Sequence, residues 1–425
     1  MIKYSRFVLN NGLKVIVHQD KSTPMVAVDV LYNVGAKDEH PGKTGFAHLF
    51  EHLMFGGSVN IPSYDMPLQM AGGENNAFTN NDFTNYYLSI PKQNLETAFW
   101  LESDRMLDLA FSTKSLDVQR NVVIEEFKQR YLNQPYGDFW LLMRPHAYKK
   151  HPYQWSTIGK DISHIANATM SDVKAFYKKF YNPCNAILSV AGNVSEKEIR
   201  ALCEKWFSPI QKGKEIKRNI PKEPVQTKKR ILTVERDVPF DMICMAYHMC
   251  SRTDEDFYAT DLLSDVLSAG NSSRLYNRLV KEKQLFSELD AYITGDVDEG
   301  LFVFTGKLIE GISMEQAERA IKDEITAVQQ KKIPDNELKK VINRTETNIE
   351  FSNISALNRA LKLAVSEMLG DSELVNKEAQ KYRGVTVAAI QEAANKILTD
   401  DNCSVMYYLA EKKKMVKKTK TKKIS

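Results

Sequence analysis

The sequence has no apolar run near the roughly 18 residues that read as a bilayer span, no Cys-x-x-Cys pair, and only five cysteines in 425 residues. Each lack excludes something. No membrane span is expected. Cys184, Cys203, Cys244, Cys250 and Cys403 are scattered and odd in number, which argues against a disulfide framework and a paired-cysteine zinc site and fits reduced thiols. Residues 1–7 run into Asn10-Asn11-Gly12 without the apolar stretch of a signal peptide, so a cytoplasmic location is expected. A composition of 43% hydrophobic and 26% charged residues is that of a globular protein and excludes a disordered or collagen-like chain. At this length two or three domains are expected rather than one core.

The formal net charge of +4 conceals an asymmetry. Eight lysines lie within residues 412–425, and without them the remaining chain carries −4. A mildly acidic body with a basic tail is the result. No aromatic residues interleave with these lysines, so stacking on nucleic acid is not indicated. The tail is expected to be disordered and solvated, with no nucleic-acid partner.

Residues 212–229 are rich in charge, contain Pro221 and Pro224, lack apolar periodicity and read as an exposed linker. The stretches on either side resemble one another. Each has an early strand pattern, at residues 25–32 and 242–247, followed by an amphipathic helix that ends near glycine, at Gly56-Gly57 and at Gly270. Each closes with a helix and a strand, at residues 185–192 and 403–409. This is an internal duplication at an offset near 214 or 215. The expected fold class is α+β: two homologous domains, each a largely antiparallel sheet covered by helices. The expected boundaries are 1–211, a linker at 212–229, a second domain at 230–411 and the tail at 412–425.

The stretch from Thr44 to Gly57 carries the chemistry. Thr44 is a plausible N-cap and the glycine pair a stop. His48 and His52 are one turn apart, about 6 Å along the axis, and Glu51 lies on the same side. The rest of the helix surface is apolar. Burying three polar groups in such a helix is costly unless something satisfies them, and a divalent metal does so. Neutral imidazoles are nitrogen ligands for zinc, which lowers the pKa of water to about 7. A carboxylate beside the metal can take that water's proton and hand it to a leaving amine, a role that fits Glu51. A third protein ligand is required. The helix expected over residues 115–132 offers Glu125 and Glu126, and spacing alone does not choose between them.

His48-x-x-Glu51-His52 with a glutamate about 75 residues downstream resembles the inverzincin peptidases of the pitrilysin/insulinase/mitochondrial-processing-peptidase type. Further stretches carry the resemblance along nearly the whole chain: Gly72-Gly73 leading to Asn76-Ala77-Phe78-Thr79, Tyr181-Asn182-Pro183 leading to Ala191-Gly192-Asn193, and Gly270-x-Ser272-Ser273-Arg274-Leu275. The resemblance implies that Glu126 is the third ligand of one Zn²⁺ per chain and that Glu51 is the catalytic base. It implies that Asn76, Ala77 and Phe78 belong to an edge strand that pairs with peptide substrate by β-addition. It also implies one half of a four-domain clamshell, with a zinc endopeptidase acting on peptides or unfolded segments.

The chain departs from the family's pattern at two places. Gln119 stands where the family has a glutamate seven residues before the third ligand, so that position can hydrogen-bond but brings no charge. In the second domain, Val280 and Ser287 occupy the positions of an arginine and a tyrosine that hold the substrate carbonyl; Arg278, Lys281 and Lys283 are near but out of register. The second half also lacks metal ligands, because His48 and His52 map to Leu262 and Val266, or to Leu263 and Leu267. A heterodimer with a related chain supplying the missing pair is therefore expected, a homodimer being the alternative. A non-catalytic assembly or scaffold subunit of the same fold is the competing function.

Overall fold

The computed structural model describes residues 1–411; the lysine-rich stretch 412–425, expected to be a disordered tail, lies outside the described residues. Among the described residues, eleven strands form two sheets. The first contains β1 (Ser5–Val8), β2 (Lys14–Gln19), β3 (Met25–Tyr32), β4 (Glu74–Thr79), β5 (Thr84–Pro91) and β6 (Ala186–Gly192) in the order β1-β2-β6-β3-β5-β4. The second contains β7 (Arg230–Arg236), β8 (Met242–His248), β9 (Phe286–Ile293), β10 (Leu301–Leu308) and β11 (Cys403–Ala410) in the order β7-β11-β8-β10-β9. In each sheet one ladder is parallel, β2 with β6 and β7 with β11, and all other ladders are antiparallel.

Removing β1 leaves the same strand order twice, which is the duplication expected from the sequence. The spacing is larger than 214–215 at these strands: Thr84 and Leu301, which open β5 and β10, are 217 residues apart, as are Ala186 and Cys403, which open β6 and β11. Loops of unequal length shift the offset along the chain.

Strand alternation explains how both faces of each sheet are buried. On β3, Val26, Val28, Val30 and Tyr32 point into the first core, beneath the helices Phe46–Leu53, Leu95–Leu107 and Met170–Phe180. The opposite residues Ala27 and Leu31 are covered by the helix Ala356–Met368, which comes from the second half of the chain. The exchange is reciprocal. The helix Phe139–Ala147 of the first half packs Phe139, Met143 and Ala147 on Met242, Cys244 and Ala246, the outer face of β8. These two helices begin 217 residues apart, so the duplicated element of each half covers the other half's sheet.

A buried polar cluster adds to this apolar exchange. The Lys37 ammonium lies 2.8 Å from Asp82 and 2.9 Å from Asp298. Tyr153 donates to Asp82 (2.6 Å), Asn81 donates to Asp296 (2.7 Å), and the Val297 amide donates to the second Asp82 oxygen (2.9 Å). The β4–β5 turn is thereby fixed against the β9–β10 turn.

Residues 212–227 form no helix or strand, but they do not lie free on the surface. Arg218 pairs with Asp38 at 2.7 Å, Glu223 accepts the amides of Lys149, Lys150 and His151, and buried Gln226 donates to the Cys403 carbonyl. Polar side chains find partners there although the segment lacks periodicity.

Candidate metal centre

The helix Phe46–Leu53 is held at both ends. Its N-cap is Gly45, at φ +88°, and a Cβ there would lie 2.7 Å from the Ile158 carbonyl oxygen, so only glycine fits. Thr44, expected as the cap, instead bonds through its hydroxyl to His164 and accepts the Lys160 amide. The capping group is Glu39, six residues upstream: its buried carboxyl accepts the amides of Gly45 (2.9 Å) and Ala47 (2.8 Å), satisfying donors that the first turn of the helix leaves unpaired. Near the other end the Tyr86 hydroxyl donates to the Phe50 carbonyl at 3.1 Å, and the Phe50 ring stacks between Phe176 and Tyr181.

With the helix so fixed, His48 and His52 project together, their rings 4.9 Å apart and nearly perpendicular. Glu126, from the helix Thr113–Phe127, turns toward them. Its Oε2 lies 3.7 Å from His48 Nε2 and 3.5 Å from His52 Nε2. These distances are too long for hydrogen bonds. The three donors surround a point rather than satisfy one another, and they form the one group of three potential metal ligands found among the described residues, mutually within 4.8 Å. Glu125 differs: its side chain is 59% exposed against 18% for Glu126, and it pairs with Lys128 on the far side. The structure thus brings together His48, His52 and Glu126 and leaves Glu125 in solvent.

The electrostatics agree with a cation-binding role. Burial pushes the His48 imidazole down to about 4, so it is neutral near pH 7, the form that ligates metal. Glu126 is held below the usual carboxylate range, first by its contact with His52 and then by His48 and Arg130. Two imidazole nitrogens and a carboxylate oxygen are a donor set that zinc takes, with room for a further ligand. The residues present therefore fit the ion.

Glu51 lies beside these groups in a groove of about 380 Å³ that is also lined by Asn76, Ala77, Phe78, Thr79, Arg130 and Tyr131. Burial raises its carboxyl above the usual range, opposed by the Thr79 hydroxyl, His52 and Arg130. A raised carboxyl suits a group that both takes and returns a proton. Asn76, Ala77 and Phe78 sit on β4, the edge strand, paired with Tyr87, Tyr86 and Asn85 of β5 on one side only. The Ala77 amide donates to the Asn76 side chain at 2.8 Å. Gln119 is half-buried, and its side chain makes no hydrogen bond to His48, His52 or Glu126. The structure does not join it to the centre.

Sequence reasoning missed Glu39, Arg130 and Tyr131. Arg130 was legible as the residue four after Glu126, a helical ion-pair spacing, and its guanidinium lies 2.8 Å from Glu126 Oε1. Glu39 had no local signal, because capping from six residues away depends on the path of the loop.

Comparisons with known proteins follow the same lines. The family described as insulinase (peptidase family M16) matches residues 14–159, and that described as the peptidase M16 inactive domain matches residues 167–345. The zinc protease PqqE of Helicobacter pylori is 31% identical over 368 residues, 83% of each chain. The crystal structure of a protease from Helicobacter pylori superposes with a TM-score of 0.90 at 29% identity, covering 96% of this chain and 100% of that one. The periplasmic protease PqqL from Escherichia coli superposes at 0.79 and 20% identity, over 96% of this chain but only 47% of its own length. Fold and site together define a half-clamshell of the metallopeptidase type. The chain belongs to the insulinase family, peptidase family M16.

Proposed function

We propose that this chain is a zinc-dependent endopeptidase that cuts peptides or unfolded segments bound in extended form, as one half of a paired chamber. The observation that carries the reading is the convergence of His48, His52 and Glu126 beside Glu51 and an open strand edge. Zinc, when held there, polarises the carbonyl and acidifies water.

The chain's own residues do the rest. β4 pairs with the backbone of an extended substrate, so backbone hydrogen bonds give affinity and side-chain identity matters less. This lays the scissile bond alongside Glu51. As the water oxygen bonds to the carbonyl carbon, its proton passes to a Glu51 carboxylate oxygen. As the C–N bond breaks, Glu51 returns that proton to the amide nitrogen, leaving a carboxylic acid and an amine.

A related chain as the partner, closing the chamber as a heterodimer, is supported by the two-fold greater length of PqqL over the matched fold. A non-catalytic scaffold role is disfavoured because such a role needs none of the four convergent polar side chains. The test is hydrolysis of an unfolded protein by the purified chain, with chelation and Glu51→Gln as controls. Loss in both supports the reading; hydrolysis that survives both contradicts it. Sizing the native complex and identifying its chains separates heterodimer from homodimer.

A further inference from the structure

In the second half, the positions of the family's arginine and tyrosine and the two arginines nearest them are engaged elsewhere. Val280 packs against the second core, and the Ser287 hydroxyl bonds to the Lys307 carbonyl. Arg274 makes a two-pronged pair with Glu337, and Arg278 is tied to Glu324 at 2.7 Å. An arginine and a tyrosine do stand at the centre itself. The helix that carries Glu126 widens directly after Phe127 into a π-helical turn, Lys128–Leu132, closed by the Asn133 amide on the Lys128 carbonyl at 2.8 Å. Such turns interrupt α-helices at functional sites.

This turn delivers Arg130 and Tyr131 into the groove that holds His48, Glu51 and His52. One oxygen of Glu126 faces the imidazoles and the other faces the Arg130 guanidinium. The Arg130 side chain is 69% exposed and lines the groove. Its guanidinium pairs with the Glu126 carboxylate at 2.8 Å and makes no side-chain hydrogen bond to any other described residue. The half-buried Tyr131 hydroxyl is likewise without a partner there, its ring resting on Phe127.

We propose that Arg130, assisted by Tyr131, holds the scissile carbonyl oxygen as negative charge develops on it, so that this chain supplies its own oxyanion donors. The inference rests on the endopeptidase reading above. Fixed donors aimed at a developing oxyanion act in the transition state more than in the bound ground state. A flexible but charge-anchored guanidinium has the free donors for that task. A partner chain is then needed to enclose the peptide, not to complete the chemistry.

The test uses the full chain with three variants and two readouts, turnover of an unfolded protein and inhibition by a phosphonate peptide that mimics the tetrahedral species. Arg130→Gln is expected to lower kcat by about 10²–10³-fold with little change in KM, to weaken phosphonate inhibition by a similar factor, and to leave zinc content unchanged. Arg130→Lys recovers part of the loss, and Tyr131→Phe gives a smaller one. If Arg130 merely steadied Glu126, Arg130→Gln would shed zinc and excess zinc would restore activity; that result overturns the proposal. So does unchanged kcat in Arg130→Gln, or turnover that requires a second chain and ignores Arg130. In each of these cases an active wild type silenced by Glu51→Gln shows that the endopeptidase reading survives. A wild type that neither binds zinc nor cuts overturns both.

Discussion

The helix Phe46–Leu53 and its counterpart Phe257–Ser268 occupy the same place in the two halves, each packed beside an edge strand, β4 or β9. In the second, Leu262, Leu263, Val266 and Leu267 are fully buried in the core. In the first, the equivalent positions are imidazoles facing a groove. The comparison teaches that this fold is satisfied by an apolar helix at that position. The polar residues of the first half are therefore a cost that packing does not require, which is the physical mark of a functional site. The supporting elements differ in the same sense: Glu39 caps the first helix, whereas no side chain caps the second.

The largest expected effect lies at the candidate metal centre. Glu51→Gln lowers turnover by about 10²–10⁴-fold with zinc retained, and His48→Ala loses zinc and turnover together. Asp265→Asn, at the position that matches Glu51 when the offset is 214, changes neither. Steady-state kinetics with elemental analysis reads all three.

Next comes the contact between the halves. Lys37→Met strands the buried Asp82 carboxylate and costs about 3–5 kcal/mol of stability, read as a shift of the urea midpoint. Because each half covers the other's sheet, unfolding should remain a single transition; two separate transitions would contradict the reciprocal packing.

Glu39→Ala removes the cap of the helix Phe46–Leu53, with an expected loss of roughly 1–2 kcal/mol in thermal unfolding and weaker zinc binding. An equal loss of stability with unchanged zinc affinity would show that the cap supports the fold alone.

The last effect is confined to a pH window and concerns Asp29, fully buried on β3 beneath the second half's helix and bonded to Asn85; the corresponding β8 carries no acid. Burial raises its carboxyl to about 8. The folded chain therefore keeps a proton that the unfolded chain has released between about pH 4 and 8. Stability contributed this way is full below that window and falls as pH rises through it, by about 1 kcal/mol over the last unit below 8. Asp29→Asn should flatten that slope in melting curves taken across the window.

Much of this was legible in the sequence. β3, β6, β8 and β11 coincide with apolar runs noted there, because strands buried on both faces are continuous in hydrophobicity. His48, Glu51 and His52 were legible because one helical turn relates them. The choice between Glu125 and Glu126 was not, since adjacent helical residues differ only in a rotation fixed by tertiary packing. Nor was the exchange of Phe139–Ala147 and Ala356–Met368, because an amphipathic pattern says that a helix covers a sheet and not which sheet. Gln119 shares a face with Glu126 by spacing, yet it contributes no hydrogen bond to the centre.

The account's central claim is that two imidazoles and one carboxylate enclose a divalent ion. Anomalous diffraction from crystals of the purified chain, recorded on both sides of the zinc absorption edge, tests it most directly. The account predicts a single strong peak bounded by His48 Nε2, His52 Nε2 and Glu126, absent in Glu126→Gln crystals. A peak elsewhere, or none in zinc-supplemented crystals, would contradict it.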